Sequence, residues 1–483
     1  MKLDVSKGEG IAFMILSKIL KNISYTISAN LISSLISIFM IIIAPKYLTS
    51  EDYGLWQLFL FYFYYIGFSH LGWREGIYLR YAGKNFNQLD ATIFSGQLYS
   101  FIVIQFVALI VVIGILHTVE LNPIKQMALT CAVLLAPFVN FSNLCYSLLQ
   151  TTNRIQSYAR LLMIDNGLFL GALVIFLFCF QLYQFQYMYY AKVLSLVVVT
   201  IISIYLCRRL LVPSFGSLAQ ILTEAKKNII VGSQLMVAYL AGMLILGVVR
   251  YGISIGWDIT TFGKVSLSLS ISNFLIAFIS AISIVFFPIL KRMNEENRIH
   301  VYKPIRLGLD CILLGLLLLY YPLQLILSWW LPQYMDSLLY LSVLFPICLF
   351  DSKLHILVNT YFKSMRKETL MLKLNVLIVL LSVLTTIFTV YVFHNLNLTV
   401  FSVIVIYAIQ CCLAEYCISS LIKIDLKKNM LVDLVMCSIF VISAWSIHSA
   451  WCMVIYGIAY IVFLFTHRKS LRNLITSIKE IQT

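Results

Sequence analysis

Positive side chains interrupt the apolar stretches of this 483-residue sequence at a few places. Arg74 and Arg80 lie in HLGWREGIYLRYAGK, residues 70–84, and Arg250 and Lys264 flank the boundary between two later apolar runs. An arginine offers a planar fork of donors to phosphate oxygens, and a lysine offers a compact positive charge. These four residues are therefore our candidates for an anion-binding site.

The same bases also have a purely structural interpretation, which the sequence leaves open. Arg80 and Lys84 follow the rule that membrane proteins retain positive charge on the cytoplasmic side, and Arg250 and Lys264 fit the ends of membrane spans equally well. Arg74 lies nearer to the membrane. We expect it to face a polar path from the cytoplasmic side.

Ionisable side chains within the apolar runs form a second group of candidates. Such residues are costly in a membrane and usually face a bundle interior or a watery cavity. Asp351 lies deep in its run, and we predict that it pairs with a base or carries a coupled ion. Others lie near predicted span ends, where side chains can extend to water: Asp165, Lys192, Asp310 and Lys373. Lys353 and Glu415 complete the group.

No enzyme motif accompanies these charges in the sequence. The pattern GxxxxGK[ST] is absent, as are HExxH, a nucleophile elbow and a cluster of metal ligands. The 11 cysteines lie mostly in apolar runs without a CxxC pair, so we expect free thiols. We therefore predict no catalytic residue, no metal and no cofactor. Energy would come from an ion gradient, the membrane potential, substrate supply or a partner.

The composition indicates an integral membrane protein. Hydrophobic residues make up 61% of the chain and charged residues 11%, whereas a soluble protein carries roughly twice that charged fraction. The net charge of +15 does not indicate nucleic-acid binding, because the basic residues form short clusters between apolar runs.

Fourteen apolar runs are long enough to cross a bilayer as helices. They lie near 24–44, 54–73, 92–116, 127–149, 161–182, 186–207, 228–250, 262–289, 305–330, 336–360, 368–393, 397–422, 430–448 and 449–467. With a cytoplasmic N-terminus, every inside segment is basic and the outside loops hold only Lys46 and Lys125. The longest inside loop would surround residues 212–227. The charge alternation predicts that both termini are cytoplasmic.

The sequence contains an internal repeat. A shift of 209 residues places LLAPFVNFSNLCYSLLQTTNR against VLFPICLFDSKLHILVNTYFK, with Pro137 on Pro346 and Asn166 on Asn375. Because the period of six spans is even, both copies point the same way across the membrane. Parallel repeats of this kind form transporters with a site between two rocking lobes. The two matching prolines are expected to kink their spans.

Three segments carry a resemblance to a known family. PKYLTSEDYGLWQL (residues 45–58) resembles its first external loop, HLGWREGIYLRYAGK (70–84) the end of its second span, and LLQTTNRIQSYA (148–159) the loop after its fourth span. The family is that of the bacterial O-antigen and capsule repeat-unit flippases, within the superfamily of multidrug extruders and the lipid II flippase. Gly72 and Gly76 fall on one helix face and would admit a close neighbour.

The resemblance implies an all-α integral membrane fold of about 14 transmembrane helices. Two parallel-related six-helix lobes would form a V-shaped, extruder-like fold, with two C-terminal helices added. We expect an N-terminal lobe over residues 1–210, a C-terminal lobe over 211–425, and two extra transmembrane helices with a basic cytoplasmic tail over 426–483.

The implied function is the flipping of undecaprenyl-diphosphate-linked oligosaccharide units from the cytoplasmic to the periplasmic leaflet of the bacterial inner membrane. Arg250, Lys264, Arg74 and Arg80 would then bind the substrate, and Asp351 would be the candidate for ion coupling. The family also implies a polysaccharide polymerase and a chain-length regulator as partners, and no nucleic acid. The alternatives are a multidrug or cation extruder of the same fold and a membrane-embedded polymerase or transferase.

Overall fold

The structure is a computed structural model that describes residues 32–119, 122–212, 217–292, 295–447 and 451–469. These residues form helices and connecting turns, with no β-strand among them. Contacts divide the chain into two compact units, Met1–Leu240 and Ala241–Thr483. The division falls inside one long helix.

Apart from short 3-10 turns, eight helices begin among the described residues of the first unit, and the last of them continues into the second. They are α1 (Ile32–Tyr47), α2 (Ser50–Ile66), α3 (Trp73–Arg80), α4 (Ala91–Thr118), α5 (Pro123–Thr151), α6 (Ile155–Cys179), α7 (Phe185–Cys207) and α8 (Leu218–Gly256).

Nine further helices, again without the short 3-10 turns, lie in the part of the second unit that the structure describes. They are α9 (Ile259–Arg292), α10 (Glu295–Leu316), α11 (Tyr320–Trp330), α12 (Met335–Leu344), α13 (Ile347–Ser364), α14 (Glu368–Val392), α15 (Leu396–Ile422), α16 (Lys427–Ser446) and α17 (Trp451–Thr466).

Over its described residues, each of the fourteen predicted spans coincides with a helix or with a pair of helices; residues 24–31 of the first span and residues 448–450 of the last two lie outside the described residues. Within the described residues, ten helical segments are long and apolar enough to cross a membrane, and the bent pair Pro332–Leu344 with Ile347–Ser364 makes an eleventh. Helices α1 and α17 are apolar but shorter. The all-α, multi-pass membrane fold is confirmed, and crossings beyond these eleven remain a prediction.

The loop predicted around residues 212–227 is wrong, because α8 begins at Leu218, ten residues before the predicted span. The early turns of α8 carry Glu224, Lys226 and Lys227, so their low hydropathy hid the helix. Ile221 and Ala225 are nevertheless buried, four residues apart on one face. An amphipathic extension therefore precedes the apolar part of the helix.

Polar caps fix where several helices begin. Asp90 precedes α4 and accepts from the Thr92 hydroxyl at 2.7 Å and from the Thr92 amide at 2.9 Å. These bonds to the ionised carboxylate, above all the one from the Thr92 hydroxyl, lower the pKa of Asp90. Asn122 caps α5 through the Ile124 amide at 3.0 Å, and Pro123 occupies the first turn.

The first unit is built around α5, which packs against α2, α3, α4, α6 and α7. Its buried side chains include Leu144, Leu148 and Leu149, which join Trp73 and Phe94 in one apolar core. In the second unit α13 packs against α9, α10 and α15, while α16 packs against α12 and α17. The Tyr456 and Tyr460 hydroxyls of α17 donate to α10 carbonyls at 2.9 and 2.8 Å.

The structure shows the 209-residue repeat in its helix boundaries. Helix α5, shifted by 209, spans 332–360 and coincides with α12 and α13. Pro346 breaks that pair with a bend of 43°, as predicted, whereas Pro137 lies inside an uninterrupted helix. Helices α6 and α14, which correspond to each other in the two copies of the repeat, both end in a π-helical turn, at Ile175–Cys179 and Ile387–Val392.

Candidate functional site

Arg80 joins α3 to the first turns of α8 within the first unit. Its guanidinium donates to Glu224 Oε2 at 2.7 Å and to the side-chain oxygen of Asn228. Asn228 in turn donates to Gln97 Oε1 of α4 at 2.7 Å. Lys227 also contacts Glu224, at 2.8 Å. The base predicted to bind substrate is therefore held in an ion pair at the end of α3.

Glycines bring the backbones of α3 and α8 into direct contact beside this ion pair. A Cβ added at Gly76 would lie 1.8 Å from the Asn228 carbonyl oxygen, and one added at Gly232 would lie 1.9 Å from the Gly72 carbonyl oxygen. The predicted close approach at Gly72 and Gly76 is thus present, and the neighbour is α8. Gly72 also has a φ of 83°, which a residue with a side chain rarely adopts.

Arg74 is paired with a buried acid at the start of α3. Its Nη2 donates to Glu75 Oε1 at 2.6 Å, and the other Glu75 oxygen lies 3.3 Å from His70 Nδ1. The Arg74 side chain is 30% exposed and that of Glu75 only 4%. An arriving anion could therefore meet the exposed edge of Arg74 while Glu75 holds the guanidinium in place.

Arg250 and Lys264 lie on consecutive helices of the second unit. Arg250 near the end of α8 donates to Ser266 Oγ at 3.1 Å and lies 5.3 Å from the centre of the Phe262 ring. Lys264 near the start of α9 donates to Asp336 Oδ2 at 2.6 Å, and Asp336 is largely exposed. Ser266 and Lys264 are two residues apart on α9, so both bases reach the same end of this helix.

Asp351 is partly exposed and its ionisable partner among the described residues is distant, although its position deep in an apolar run indicated a buried, closely paired carboxylate. Its carboxylate lies 3.7 Å from His355 Nε2, one turn along α13, and its side chain is 19% exposed. Lys353 points to a different face and is fully buried, which agrees with the two-residue offset between them. Asp351 therefore stays a candidate for ion coupling, in contact with a histidine.

A buried cluster of five charges in the second unit was not predicted. Arg306 binds Glu415 through two bonds of 2.9 Å, and it also donates to Asp310 and Asp433. Lys353 contacts Asp310 and Asp433. Each of the five side chains is at most 5% exposed.

The cluster joins four helices of the second unit. Arg306 and Asp310 come from α10, Lys353 from α13, Glu415 from α15 and Asp433 from α16. The expectation that Asp310 extends to water from a span end is wrong, because it lies one turn from Arg306 and both point inward. The four-residue spacing of Arg306 and Asp310 was the only local sign of the pair.

No cluster of metal ligands emerges from the described ranges. Among these residues no group of three or more His, Cys, Asp or Glu side chains is placed to hold a metal ion. The carboxylates of the five-charge cluster face arginine and lysine nitrogens instead.

Solved structures that are similar to this chain in fold include a flippase and a multidrug transporter. One is the lipid II flippase MurJ in an inward closed conformation, with a TM-score of 0.63 and 13% identity, over 93% of this chain and 100% of that chain. The other is an inward-facing multidrug resistance MATE family transporter of the MOP superfamily, with a TM-score of 0.57 and 14% identity, over 81% and 99%.

These likenesses define the class of fold. No family model matches the sequence, and no curated protein matches it either. The chain is a multi-pass, all-α membrane protein with the fold of MATE and MurJ transporters. At 13–14% identity the comparison concerns the fold alone.

Proposed function

We propose that the protein is a flippase that moves an undecaprenyl-diphosphate-linked oligosaccharide from the cytoplasmic to the periplasmic leaflet of a bacterial inner membrane. The observation that carries the proposal is the fold likeness to a lipid II flippase, which extends over 93% of this chain and all of that one. The likeness to the multidrug transporter covers a smaller share of the chain, 81%. The repeat-unit substrate follows from the three segments that resemble the O-antigen and capsule flippases.

The basic side chains supply the means to hold a diphosphate. Arg250 has a neutral hydroxyl, that of Ser266, among its partners. Replacing that contact by a phosphate oxygen makes a charge-assisted hydrogen bond, which is roughly twice as strong as a neutral one. Lys264, Arg74 and Arg80 hold carboxylates in this structure, so an arriving phosphate would exchange for Asp336, Glu75 or Glu224.

In this proposal the two lobes, residues 1–210 and 211–425, open alternately to the two sides of the membrane. The diphosphate and sugars enter the polar path while the polyprenyl tail stays in the bilayer. An ion gradient drives the cycle, with Asp351 as the coupling residue. Both termini are cytoplasmic, and a polymerase with a chain-length regulator receives the flipped unit.

The five buried charges argue against a cation extruder. An extruder of cations needs acids that its substrate can reach, whereas Asp310, Glu415 and Asp433 are buried and already contact Arg306 or Lys353. A polymerase or transferase usually needs a sizeable extramembrane segment for its catalytic groups. The connections between the helices given above are short. They leave little room for such a segment, which favours a transporter over a polymerase or a transferase.

Replacing Arg250 by alanine should reduce flipping by about tenfold or more. A hydrogen bond to a charged group contributes about 1.5–3 kcal/mol, and 1.4 kcal/mol corresponds to a factor of ten in affinity. The test uses a deletion strain that carries the gene on a plasmid. Surface polymer and the cytoplasm-facing pool of complete lipid-linked units are measured for wild type and for Arg250→Ala.

Arg208→Ala is the matched control for this experiment, because Arg208 stacks 4.4 Å from the centre of the Tyr205 ring at a predicted cytoplasmic turn. It should retain wild-type polymer. The deletion should accumulate complete, cytoplasm-facing units. Units that reach the periplasm in the deletion strain but stay unpolymerised would overturn the flippase proposal in favour of a polymerase. Wild-type behaviour of Arg250→Ala would remove Arg250 from the site.

A further inference from the structure

A groove separates α4 from α8 over about two turns within the first unit. The two helices are in contact at one end of it, where a Cβ added to Gly96 of α4 would lie 2.2 Å from Ile221 Cδ1 of α8. Beyond that contact they leave a space of about 270 Å³, which Ser100 and Ile104 line from α4 and Ala225 lines from α8. We call this space the α4–α8 groove.

The walls of the α4–α8 groove offer few hydrogen bonds to water. Trp73 of α3 lines the groove with an indole ring whose Nε1 already donates to Gln97 Oε1 at 3.3 Å. Ile229 and Ile230 add aliphatic side chains from α8. The space is large enough for several waters at about 30 Å³ each, but a buried water needs roughly two to four polar partners. An apolar occupant therefore suits the groove better than water does.

The rim of the groove is apolar and continues the exposed surface of the helices. Ile104 on α4 and both Leu222 and Ile230 on α8 are exposed, and Val103 and Val107 extend the apolar surface along α4. Both helices are long and apolar enough to cross a membrane. An exposed apolar surface of this kind lies against lipid chains in a membrane protein. A chain of a neighbouring lipid can therefore enter the groove from the side.

One base, Lys226, stands at this rim, four residues from Leu222 and four from Ile230. The spacing places the three side chains on one face of α8. Glu224, the acid of the same stretch, is held by Lys227 at 2.8 Å and lies on another face. Lys226 begins the apolar part of α8, and a lysine at the end of a membrane helix can extend its ammonium group to the level of the lipid phosphates. The groove thus combines apolar walls with a positive charge at one end.

We propose that the α4–α8 groove binds an acidic phospholipid, with one acyl chain between the helices and the phosphate beside Lys226. The apolar walls suit the chain, and the Lys226 ammonium group makes a charge-assisted hydrogen bond to a phosphate oxygen. An acidic lipid is favoured over a zwitterionic one, because a zwitterionic headgroup brings its own positive charge close to the lysine. The site uses none of the four bases proposed for the substrate, so the inference holds whether or not the chain is a flippase.

The test is native mass spectrometry of the purified full-length protein, titrated in detergent with phosphatidylglycerol or with phosphatidylethanolamine. Wild type should bind one phosphatidylglycerol molecule at a lower concentration than phosphatidylethanolamine. Lys226→Gln should weaken phosphatidylglycerol binding about fivefold, which is the contribution of one lysine near an acidic lipid surface. Lys227→Gln is the matched control, because it removes the same charge from the neighbouring residue, whose partner is Glu224. It should bind phosphatidylglycerol as wild type does.

Ser100→Phe tests the place of the acyl chain. Its ring would occupy the groove from the α4 side, so the saturable binding of phosphatidylglycerol should be lost. A measurement on wild type covers the case in which this variant fails to fold. Phosphatidylglycerol with a photoreactive diazirine in its acyl chain should label Ile104, Ile229 and Ile230, and an excess of unlabelled phosphatidylglycerol should suppress that labelling more than phosphatidylethanolamine does.

Four results would overturn the proposal. They are equal binding of the two lipids by wild type, equal losses in Lys226→Gln and Lys227→Gln, saturable binding that survives in folded Ser100→Phe, and labelling that phosphatidylglycerol does not suppress. Stronger suppression by undecaprenyl phosphate than by phosphatidylglycerol would assign the groove to a polyprenyl chain and overturn it as well. A dimer of the protein that replaces the lipid-bound monomer would assign the groove to a second copy, with the same consequence.

Discussion

Gly232→Ala should destabilise the protein and abolish its transport, whereas Gly171→Ala should not. At Gly232 the new methyl group would lie 1.9 Å from the Gly72 oxygen and 2.3 Å from the Gly76 nitrogen. Both neighbours are backbone atoms, so no side chain can rotate away. The helices α3 and α8 would have to separate, at a cost at or above the roughly 1–3 kcal/mol of ordinary overpacking.

The separation would also break the ion pair beside the glycines. Arg80 reaches Glu224 and Asn228 only because the backbones of α3 and α8 are in contact. We therefore expect a lower unfolding midpoint in detergent together with loss of surface polymer in the complemented strain. Gly76→Ala should behave in the same way, since its Cβ would meet the Asn228 backbone at 1.8 Å.

Gly171→Ala is the control for this prediction, because we expect it to change the stability in the opposite direction. Gly171 lies in α6, and a Cβ there would meet nothing within 4 Å. Alanine in a helix interior is favoured over glycine by roughly 0.5–1 kcal/mol, so this variant should be slightly more stable than wild type. If Gly232→Ala and Gly171→Ala unfold at the same temperature, the close contact between α3 and α8 is not a feature of the folded protein.

Arg306→Met should be the most damaging single substitution in the second unit. It removes the base that binds all three acids of the cluster and leaves Lys353 alone with them. Removing one partner of a buried ion pair costs about 3–5 kcal/mol, because the remaining charge stays desolvated. The measurement is the free energy of unfolding of the purified protein, with the yield of folded protein in the membrane as a second readout.

A second substitution tests whether charge balance is the cause. Arg306→Met combined with Glu415→Met restores the excess of one negative charge that wild type has, in side chains of similar volume. The double variant should be more stable than Arg306→Met, with a coupling of about 0.5–3 kcal/mol. If it is less stable than the single variant, packing rather than charge determines the effect.

Lys264→Met removes one partner of an exposed ion pair, so its effect on stability can be compared with that of Arg306→Met in the buried cluster. Lys264 binds Asp336, whose side chain is 65% exposed, so water solvates the carboxylate after the lysine is gone. Exposed pairs of this kind contribute about 0–1 kcal/mol. The folded protein should therefore tolerate Lys264→Met, although the proposed substrate site would lose a base.

The helices could be predicted from the sequence because the pattern that indicates each of them lies within one short stretch of the chain. A run of about 20 apolar residues meets the thickness of the bilayer, and all fourteen such runs contain a helix in the structure. The early turns of α8 were missed for the same reason, since Glu224 and Lys227 interrupt the apolar run there. Hydropathy measures apolar length and does not recognise an amphipathic extension.

The polar contacts could not be predicted from the sequence, because the two partners of each contact are far apart in the chain. Arg80 could be assigned to the end of a helix, but its partner Glu224 lies 144 residues away. Arg306 lies at the start of the predicted span 305–330 and Asp433 near the start of the span 430–448, and neither was among the candidates. Nothing local connects these two residues, which are 127 positions apart and meet only when α10 and α16 pack.

The residues of the proposed substrate site were chosen by the chemistry of their side chains and not by their arrangement in space. Arg250, Lys264, Arg74 and Arg80 were chosen because basic groups suit phosphate, and the structure gives each of them a contact within the protein. Asp351 likewise contacts His355. These contacts define what an arriving substrate would have to displace, and the Arg250 experiment measures that exchange directly.

The π-helical turns that end α6 and α14 bear on the ancestry of the chain. A π turn accommodates one residue more than an α-helix would at that place. Ile175–Cys179 and Ile387–Val392 occupy matching ends of repeat mates, whereas the π turns at Phe39–Ile43 and Leu354–Val358 face α-helical counterparts in the other copy. In a chain that arose by duplication, a turn at the same end of both copies is one that the single-copy ancestor would have carried, and the unshared ones were gained in one copy or lost from the other after the copies diverged.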